Sequence, residues 1–162
     1  METTEREELS RVIRVGRWAA LATYGDGVPL ASMVAYACEA DFGGFLLHLS
    51  RLSLHTRNLL VFPSASIAIS EPDTAQVRNP QTLARVSIQG EVRPLREDTP
   101  GYAEAKALYE KRFPDSSPLF GFGDFLLFRF LPREARFVAG FARAYTVSAG
   151  ELKEAAAVGL GR

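Results

Sequence analysis

The sequence is poor in the residues that build metal sites and disulfides. It has one cysteine, Cys38, and two histidines, His48 and His55. A single cysteine excludes an intrachain disulfide and a multi-cysteine zinc site, and two histidines leave little for metal binding. We therefore predict no metal site, and a reducing, cytoplasmic location.

Net charge and long apolar runs are also absent. The 19 Lys and Arg residues balance the 19 Asp and Glu residues, which argues against a nucleic-acid partner and an acidic membrane surface. No apolar run approaches the roughly 18 residues that span a bilayer, and the charged segment Met1–Arg11 has no signal-peptide core. We predict a protein without membrane or nucleic-acid partners.

The composition that remains is that of a globular chain. Of the 162 residues, 47% are hydrophobic and 23% are charged, which suits one domain with a core. We predict a single domain over residues 1–148, with an N-terminal helix, and a poorly anchored tail over residues 149–162.

The first elements are predicted to be a helix and a β-hairpin. Thr4 and Glu7 fit a capping box at the start of an amphipathic helix that ends at Gly16. An apolar strand, Trp18–Tyr24, then leads through the turn residues Gly25, Asp26 and Gly27 into a return strand, Val28–Cys38. Most odd-numbered positions of that return strand are small, so a flat ligand, a helix or another strand could lie close to that face.

The middle of the chain is predicted to contain three more strands. They cover Gly44–Leu49, Ala65–Ser70 and Ala84–Val92, and a short helix over Leu54–Phe62 lies between the first two. The last of these strands alternates cleanly between apolar and polar residues, and Gly90 marks a bulge in it.

The C-terminal part is rich in phenylalanine. A helix is predicted to begin at Thr99-Pro100 and to end before Pro114. The strand predicted over Leu119–Leu131 is apolar on both faces, so both faces need a cover, and we expect a second subunit to supply one. A last strand, Arg136–Val138, precedes the segment Gly140–Val147.

Six or seven short strands and three helices favour a mainly β fold, an antiparallel barrel with helices. No Gly-rich nucleotide motif and no Gly-x-Ser-x-Gly motif is present. Cys38 and His48 both fall inside strands, where an inert thiol and a core or interface histidine are expected. The acid–base inventory is too small for side-chain catalysis, so we assign no catalytic residue and expect a bound cofactor to carry any reaction.

One segment is suited to bind phosphate. Ser50, Ser53 and Thr56 lie between a strand and the start of a helix, together with His55 and nearby arginines. Free backbone amides and the positive end of the helix dipole favour an anion there. The alternative is that Ser53 only caps the helix and the arginines are solvated.

The order of these elements resembles the FMN-binding split barrels of the pyridoxamine 5′-phosphate oxidase type, especially the haem-utilisation branch. The resemblance covers residues 6–148, and its most specific part is the run S-x-L-x-x-H-T-x-N-L at Ser50–Leu59. Further matches lie at Pro29–Ser32, Arg85–Gly90 and Arg136–Tyr145. It implies a six-stranded split barrel that forms a homodimer, with FMN between the subunits.

The resemblance also implies a set of FMN-binding residues. It places Ser32, Met33 and Val34 along the isoalloxazine ring, and Leu49 and Ser50 at the ring or ribityl chain through backbone groups. Ser53, His55 and Thr56 would hold the phosphate. Arg85 would reach the flavin from the polar face of the neighbouring strand, and Arg143 would line the site near the subunit interface. The leading hypothesis is an FMN-dependent oxidoreductase acting on a small molecule that the sequence does not specify.

Two departures from the family pattern leave other hypotheses open. The classical oxidases have a cation where His55 stands and a C-terminal Arg and His cluster that is missing here, so pyridoxamine phosphate oxidation is not expected. No histidine follows His55, which argues against haem breakdown but leaves haem as an alternative ligand. A third hypothesis is a cofactor-free interaction module on the same barrel.

Overall fold

The computed structural model describes residues 1–140 and 143–158. The predictions that involve Phe141, Ala142 and residues 159–162 lie outside the described residues. Four α-helices are described: α1 (Thr3–Val15), α2 (Leu54–Val61), α3 (Tyr102–Arg112) and α4 (Ala149–Val158). The strands are β1 (Trp18–Gly25), β2 (Val28–Ala35), β3 (Ala37–Cys38), β4 (Phe45–Ser50), β5 (Ser64–Ser70), β6 (Arg85–Leu95), β7 (Phe125–Val138) and β8 (Ala144–Ser148). Two 3₁₀ helices cover Pro80–Thr82 and Pro114–Gly121.

All the strands belong to one antiparallel sheet, in the order β2-β1-β5-β6-β7-β4-β3, and β8 pairs with the second half of β7. The two ends of this path, β2 and β3, are consecutive in the chain, so the sheet curls back on itself. The predicted fold class, a mainly β antiparallel split barrel with helices, is confirmed. The described residues form eight strands rather than six, because the predicted return strand is divided in two and β8 is added.

The hairpin between β1 and β2 is confirmed. Asp26 and Gly27 have φ values of 52° and 80°, as a two-residue turn with two left-handed residues requires. The return strand, however, breaks at Tyr36, whose hydroxyl donates to the carbonyl oxygen of Ile13 at 2.7 Å. After that residue the chain joins β4 at the other end of the sheet.

Helix α1 has the expected buried stripe, but its cap was wrongly predicted. The N-cap residue is Glu2, and its amide donates to Glu5 Oε2 at 2.9 Å. The capping box therefore lies two residues earlier than Thr4 and Glu7, because a carboxylate can take the place of a hydroxyl at this position. The residues predicted to face the core, Leu9, Val12 and Ile13, are buried.

Strand β6 contains the predicted bulge. Its register with β7 shifts between Gln89 and Gly90, and a β-carbon at Gly90 would collide with the carbonyl oxygen of Leu131. Only glycine allows the two backbones to approach so closely here.

The start of α3 was wrongly predicted. The helix begins at Tyr102 after Gly101, which has φ 84°. Thr99, expected to cap the helix, instead accepts a hydrogen bond from the amide of Arg96 at 3.0 Å.

The phenylalanine-rich segment forms one long strand that starts later than predicted. Residues 114–121 are a 3₁₀ helix, β7 begins at Phe125, and the predicted last strand Arg136–Val138 is its final part. One face of β7 contributes Phe128 and Phe130 to the main core. The other face is covered by α3 and the 3₁₀ helix, where Leu127 packs in a second core. The prediction that a second subunit covers this face is therefore wrong, since the chain covers it with its own helices.

The C-terminal segment is better anchored than predicted. Helix α4 follows β8 directly, and Leu152, Ala155 and Ala156 are buried in the main core. The boundary at residue 148 remains a prediction. In the part of the chain that the structure describes, no helix is both long and apolar enough to cross a membrane.

Candidate functional site

The outer face of the sheet carries a large cavity, which we call the outer-face cavity. It has a volume of about 720 Å³ and lies between the junction of α1 with β1 and the outward side chains of β1, β2, β5, β6 and β7. Ala20 pairs with Ala68, and Ala68 pairs with Ser87, so small residues of three neighbouring strands form a flat floor. Met33 continues this row on β2 and Arg136 on β7. Such a floor suits a planar ligand.

The rim of the outer-face cavity is apolar on one side. Trp18 is 57% exposed and Met33 is 50% exposed, although both are large apolar side chains. They lie on neighbouring strands, since Trp18 pairs with Ala35, two residues after Met33. Exposed aromatic and thioether groups beside a flat floor are typical of a surface that a ligand or a partner covers.

The remaining rim is rich in arginine. Four arginines, Arg11, Arg17, Arg85 and Arg136, line the cavity, and Glu71 is the one acidic lining residue. Glu71 forms an ion pair with Arg11, so three guanidinium groups remain as an excess of positive charge.

All three of these guanidinium groups have contacts that place them. That of Arg17 lies over the Phe113 ring, 5.2 Å from its centre, and those of Arg85 and Arg136 make hydrogen bonds that leave donors free. Arg85 donates from Nη1 to the carbonyl oxygens of Gln81 and Leu83, each at 3.1 Å. Arg136 contacts the hydroxyl of Thr146 through Nη1. A guanidinium group has five N–H donors, so both arginines can still donate to a carboxylate or phosphate.

The start of α2 is the second candidate region. Ser53 is the N-cap residue, and its side chain makes no capping hydrogen bond. The first three helical residues, Leu54, His55 and Thr56, have no carbonyl four residues earlier within the helix, so their amides face outward from the helix end. This arrangement favours an anion.

Two buried hydroxyls at predicted site positions have no hydrogen-bond partner among the described residues. They are Thr56 Oγ1, on a residue with 0% exposure, and Ser32 Oγ on β2. An unsatisfied buried hydroxyl costs free energy. A bound ligand that accepts or donates a hydrogen bond would relieve this cost.

Other contacts at the start of α2 oppose phosphate. Ser50 Oγ donates to Asp124 Oδ2 at 3.0 Å and accepts from the amide of Leu52 at 3.2 Å. The Asp124 carboxylate brings negative charge to the position where the resemblance places flavin contacts. Burial lowers the pKa of His55 below its ordinary value, so near neutral pH its imidazole is uncharged and adds no positive charge.

The predicted site residues are distributed over several places. Met33 and Arg85 line the outer-face cavity. The side chains of Val34 and Leu49 belong to the main core. Arg143 lies elsewhere: it pairs with Glu5 at 3.4 Å and lines a separate groove along α1. The shared binding role of the ten residues remains a prediction.

The second histidine occupies an aromatic environment. His48 is 9% exposed, and its ring stacks on Phe120 with a centroid distance of 3.8 Å. Tyr109 and Phe125 contact the same ring. Desolvation lowers the pKa of His48 to about 4. The interior position expected for this residue is confirmed.

Sequence reasoning missed several residues of these two regions. Trp18 and Arg136 were placed in strands without a role, yet both line the outer-face cavity. The side-chain amide of Asn58 donates to Thr23 Oγ1 at 3.2 Å and fixes α2 to β1. Period-two alternation would have put Trp18 on the same face as Ala20, but nothing in the sequence says which strands lie beside it.

The curled antiparallel sheet, with helices outside it, defines the class of split-barrel proteins. The chain belongs to the family described as CREG, beta-barrel, whose model matches residues 7–154.

Individual relatives agree with this class. The chain is 31% identical over 153 residues to the non-canonical heme oxygenase HOZ, chloroplastic, of Arabidopsis thaliana. The aligned region covers 91% of this chain and 44% of that protein, so this chain spans less than half the length of that curated relative. A heme binding protein from Mycobacterium smegmatis has a TM-score of 0.80 at 27% identity, covering 92% of this chain and 60% of that one. A putative pyridoxamine 5′-phosphate oxidase from Listeria innocua shares the fold, with a TM-score of 0.62 at 11% identity over 84% and 99% of the two chains. The resemblance to the oxidase-type split barrels and their haem-utilisation branch is confirmed.

Proposed function

We propose that this protein binds haem, and that the haem lies in the outer-face cavity. The observation that carries the proposal is the flat floor of small residues beside three guanidinium groups with unused donors. The similarity to a heme oxygenase of Arabidopsis and a heme binding protein of Mycobacterium supports haem as the planar ligand.

The cavity and haem agree in size and chemistry. A volume of about 720 Å³ falls in the range of roughly 300–1,000 Å³ that is typical of cofactor sites. Ala20 and Ala68 allow a flat ring system to lie near the sheet, and Trp18 offers an aromatic ring at its edge. Arg85 and Arg136 would donate to the propionate carboxylates, a pairing that guanidinium geometry favours.

The bound iron would supply the redox chemistry of any reaction. His48 and His55 do not line the outer-face cavity, whereas Met33 does. Among the described lining residues, its thioether is the one side chain of a type that commonly binds haem iron, and it would be available to do so. We propose haem binding as the function, and an oxidoreductase activity on that haem as the step to be measured next.

Titration with haem tests this proposal. The parent protein should shift the Soret band with saturation near one haem per chain. Arg85→Ala and Arg136→Ala should each raise the dissociation constant about tenfold, since each removes a charge-assisted hydrogen bond. Arg93→Ala is the matched control, because Arg93 lies on β6 outside the cavity and pairs with Glu91. Equal affinities for all four proteins would reject this binding site. Loss of the Soret band after addition of a reductant would show haem breakdown.

FMN is the second candidate, and it rests on a different observation. The unpaired hydroxyl of Thr56 and the free amides at the start of α2 are suited to a phosphate group. The negative charge of the nearby Asp124 carboxylate opposes phosphate binding at this position.

A Thr56→Val variant tests FMN binding. Valine keeps the shape of threonine and removes the hydroxyl, so FMN affinity should fall about tenfold while haem affinity stays unchanged. FMN fluorescence measures the first and the Soret band the second. If valine leaves FMN affinity unchanged, the flavin does not use this corner. A parent protein that binds neither ligand would instead be a cofactor-free interaction module.

We also propose that the protein is a cytoplasmic homodimer. Its one cysteine suits a reducing compartment. The outer face of β1 and β2 exposes Tyr24 in addition to Trp18 and Met33. Apolar side chains gathered on one sheet face are typical of an interface.

A further inference from the structure

The end of α1 is fixed by side chains from distant parts of the chain. Arg112 is the last residue of α3, and its Nη2 atom donates to the carbonyl oxygens of Arg14 at 2.9 Å, Val15 at 3.3 Å and Gly16 at 2.9 Å. The hydroxyl of Tyr36 donates to the carbonyl oxygen before them, that of Ile13. Four successive carbonyls thus have partners from outside the helix.

These contacts do more than fill empty acceptors. The last carbonyls of a helix have no partner within the helix and carry the negative end of its dipole. A guanidinium group beside them supplies both donors and positive charge. Since Arg112 is almost 100 residues from α1 in sequence, it ties two separate elements together.

The segment that Arg112 holds is also a wall of the outer-face cavity. Val15, Gly16, Arg17 and Trp18 all line the cavity, whereas Arg112 does not. The neighbouring residue Phe113 contributes as well, since the guanidinium carbon of Arg17 lies 5.2 Å from the centre of its ring. The end of α3 therefore contacts both the backbone of this wall and one of its cationic side chains.

We propose that Arg112 is a positioning residue for ligand binding in the outer-face cavity. It sets the position of the Val15–Trp18 wall, and through it the places of the Trp18 ring and the Arg17 guanidinium. The part of this inference that concerns affinity rests on the proposed haem function, and the part that concerns the wall does not.

Trp18 is the only tryptophan of the chain, so its fluorescence reports on this wall directly. We would compare the parent with Arg112→Met, which keeps the length of the side chain and removes all donors, and with Arg112→Lys, which keeps the charge. Lys111→Met is the matched control, because Lys111 is an exposed neighbour on the same helix and its loss changes the charge equally. Acrylamide quenching of Trp18 without ligand, the haem dissociation constant and the melting temperature are measured for each protein.

We expect Arg112→Met to increase the quenching constant of Trp18 at a temperature where the protein is fully folded, and to weaken haem binding about fivefold. Arg112→Lys should lie between it and the parent, and Lys111→Met should match the parent. A lower melting temperature with parental quenching and parental affinity would overturn the proposal, since Arg112 would then only stabilise the fold. If Arg112→Met does not fold, the quenching and affinity of Arg112→Lys decide in the same way. A parent that binds no haem would refute the proposed function, while the quenching comparison would still test the wall.

Discussion

His48 is a titratable side chain enclosed by aromatic rings beneath α3. The groups that face it from α3 are Tyr109, Lys106 and Glu110; the last two act on its pKa in opposite directions, and desolvation is the largest cause of the shift. The pKa falls from 6.5 to about 4 in the folded protein. The unfolded chain thus binds more protons between these two values, so folding stability that is fully present above about pH 6.5 is lost as the pH falls towards 4.

His48→Phe should remove most of this pH dependence. Phenylalanine keeps a flat ring against Phe120 and does not titrate. Between pH 7 and pH 4.5 the parent should lose about 2 kcal/mol more of its free energy of unfolding than the variant does, as measured by urea denaturation at both pH values. Carboxylates titrate in both proteins, so their contribution to the pH dependence of the free energy of unfolding cancels when the parent is compared with the variant. Equal losses would mean that His48 is protonated with an ordinary pKa.

Single residues also show where the sequence stops being informative. The alternation of β2 correctly separated Met33 from Val34, because strand side chains point to opposite faces. The run from Ser50 to Leu59 correctly located the start of α2. Neither pattern could show that Arg136 lies across the sheet from Met33, since strand order depends on contacts between residues far apart in the chain, such as Ser87 and Arg136.

Among the elements, α4 shows why a terminal segment was misjudged. Its alanines give a weak amphipathic signal, yet small side chains allow the helix to pack closely, and Leu152 has 0% exposure. Helix α4 contacts α1 through the Arg6–Glu154 ion pair and through Arg14, which donates to the carbonyl oxygen of Ala156 at 3.0 Å.

Leu152→Ala should therefore destabilise the protein substantially. Removing a fully buried leucine side chain costs about 2–5 kcal/mol through lost burial and the cavity left behind. Lys153→Ala is the control, since its partner Asp41 is exposed and such pairs contribute about 1 kcal/mol or less. Thermal or urea unfolding measures both. A cost for Leu152→Ala no larger than the control's would show that α4 is the loose tail that the sequence suggested.

The ends of elements and their packing partners were also hard to predict, because local composition does not determine either. Thr99-Pro100 has the composition of a helix start, but the left-handed Gly101 places the first turn later. The apolar pattern predicted β7, but it could not show that the chain's own α3 covers its second face, because a sequence does not state which helix packs on which strand.

On the scale of the whole molecule, the exposed apolar face of β1 and β2 bears on assembly. Light scattering should give a mass near twice the 17.8 kDa of one chain. Ala22→Glu puts a charge on the outer face of β1, outside the cavity lining, and should yield monomers, because an unpaired carboxylate at an interface is costly. Ala107→Glu, at an exposed position of α3, should remain dimeric. A monomeric parent, or an Ala22→Glu variant that stays dimeric, would contradict assembly through this face.

The protein as a whole is thus understood as a barrel whose outer sheet face is shaped for a planar anionic ligand. A crystal structure of the protein grown with haem tests this most directly. We predict a flat molecule above Ala20, Ala68 and Ser87, with its carboxylates against Arg85 and Arg136 and the Trp18 ring at its edge. Haem bound away from the outer-face cavity, with that cavity holding only solvent, would contradict the account.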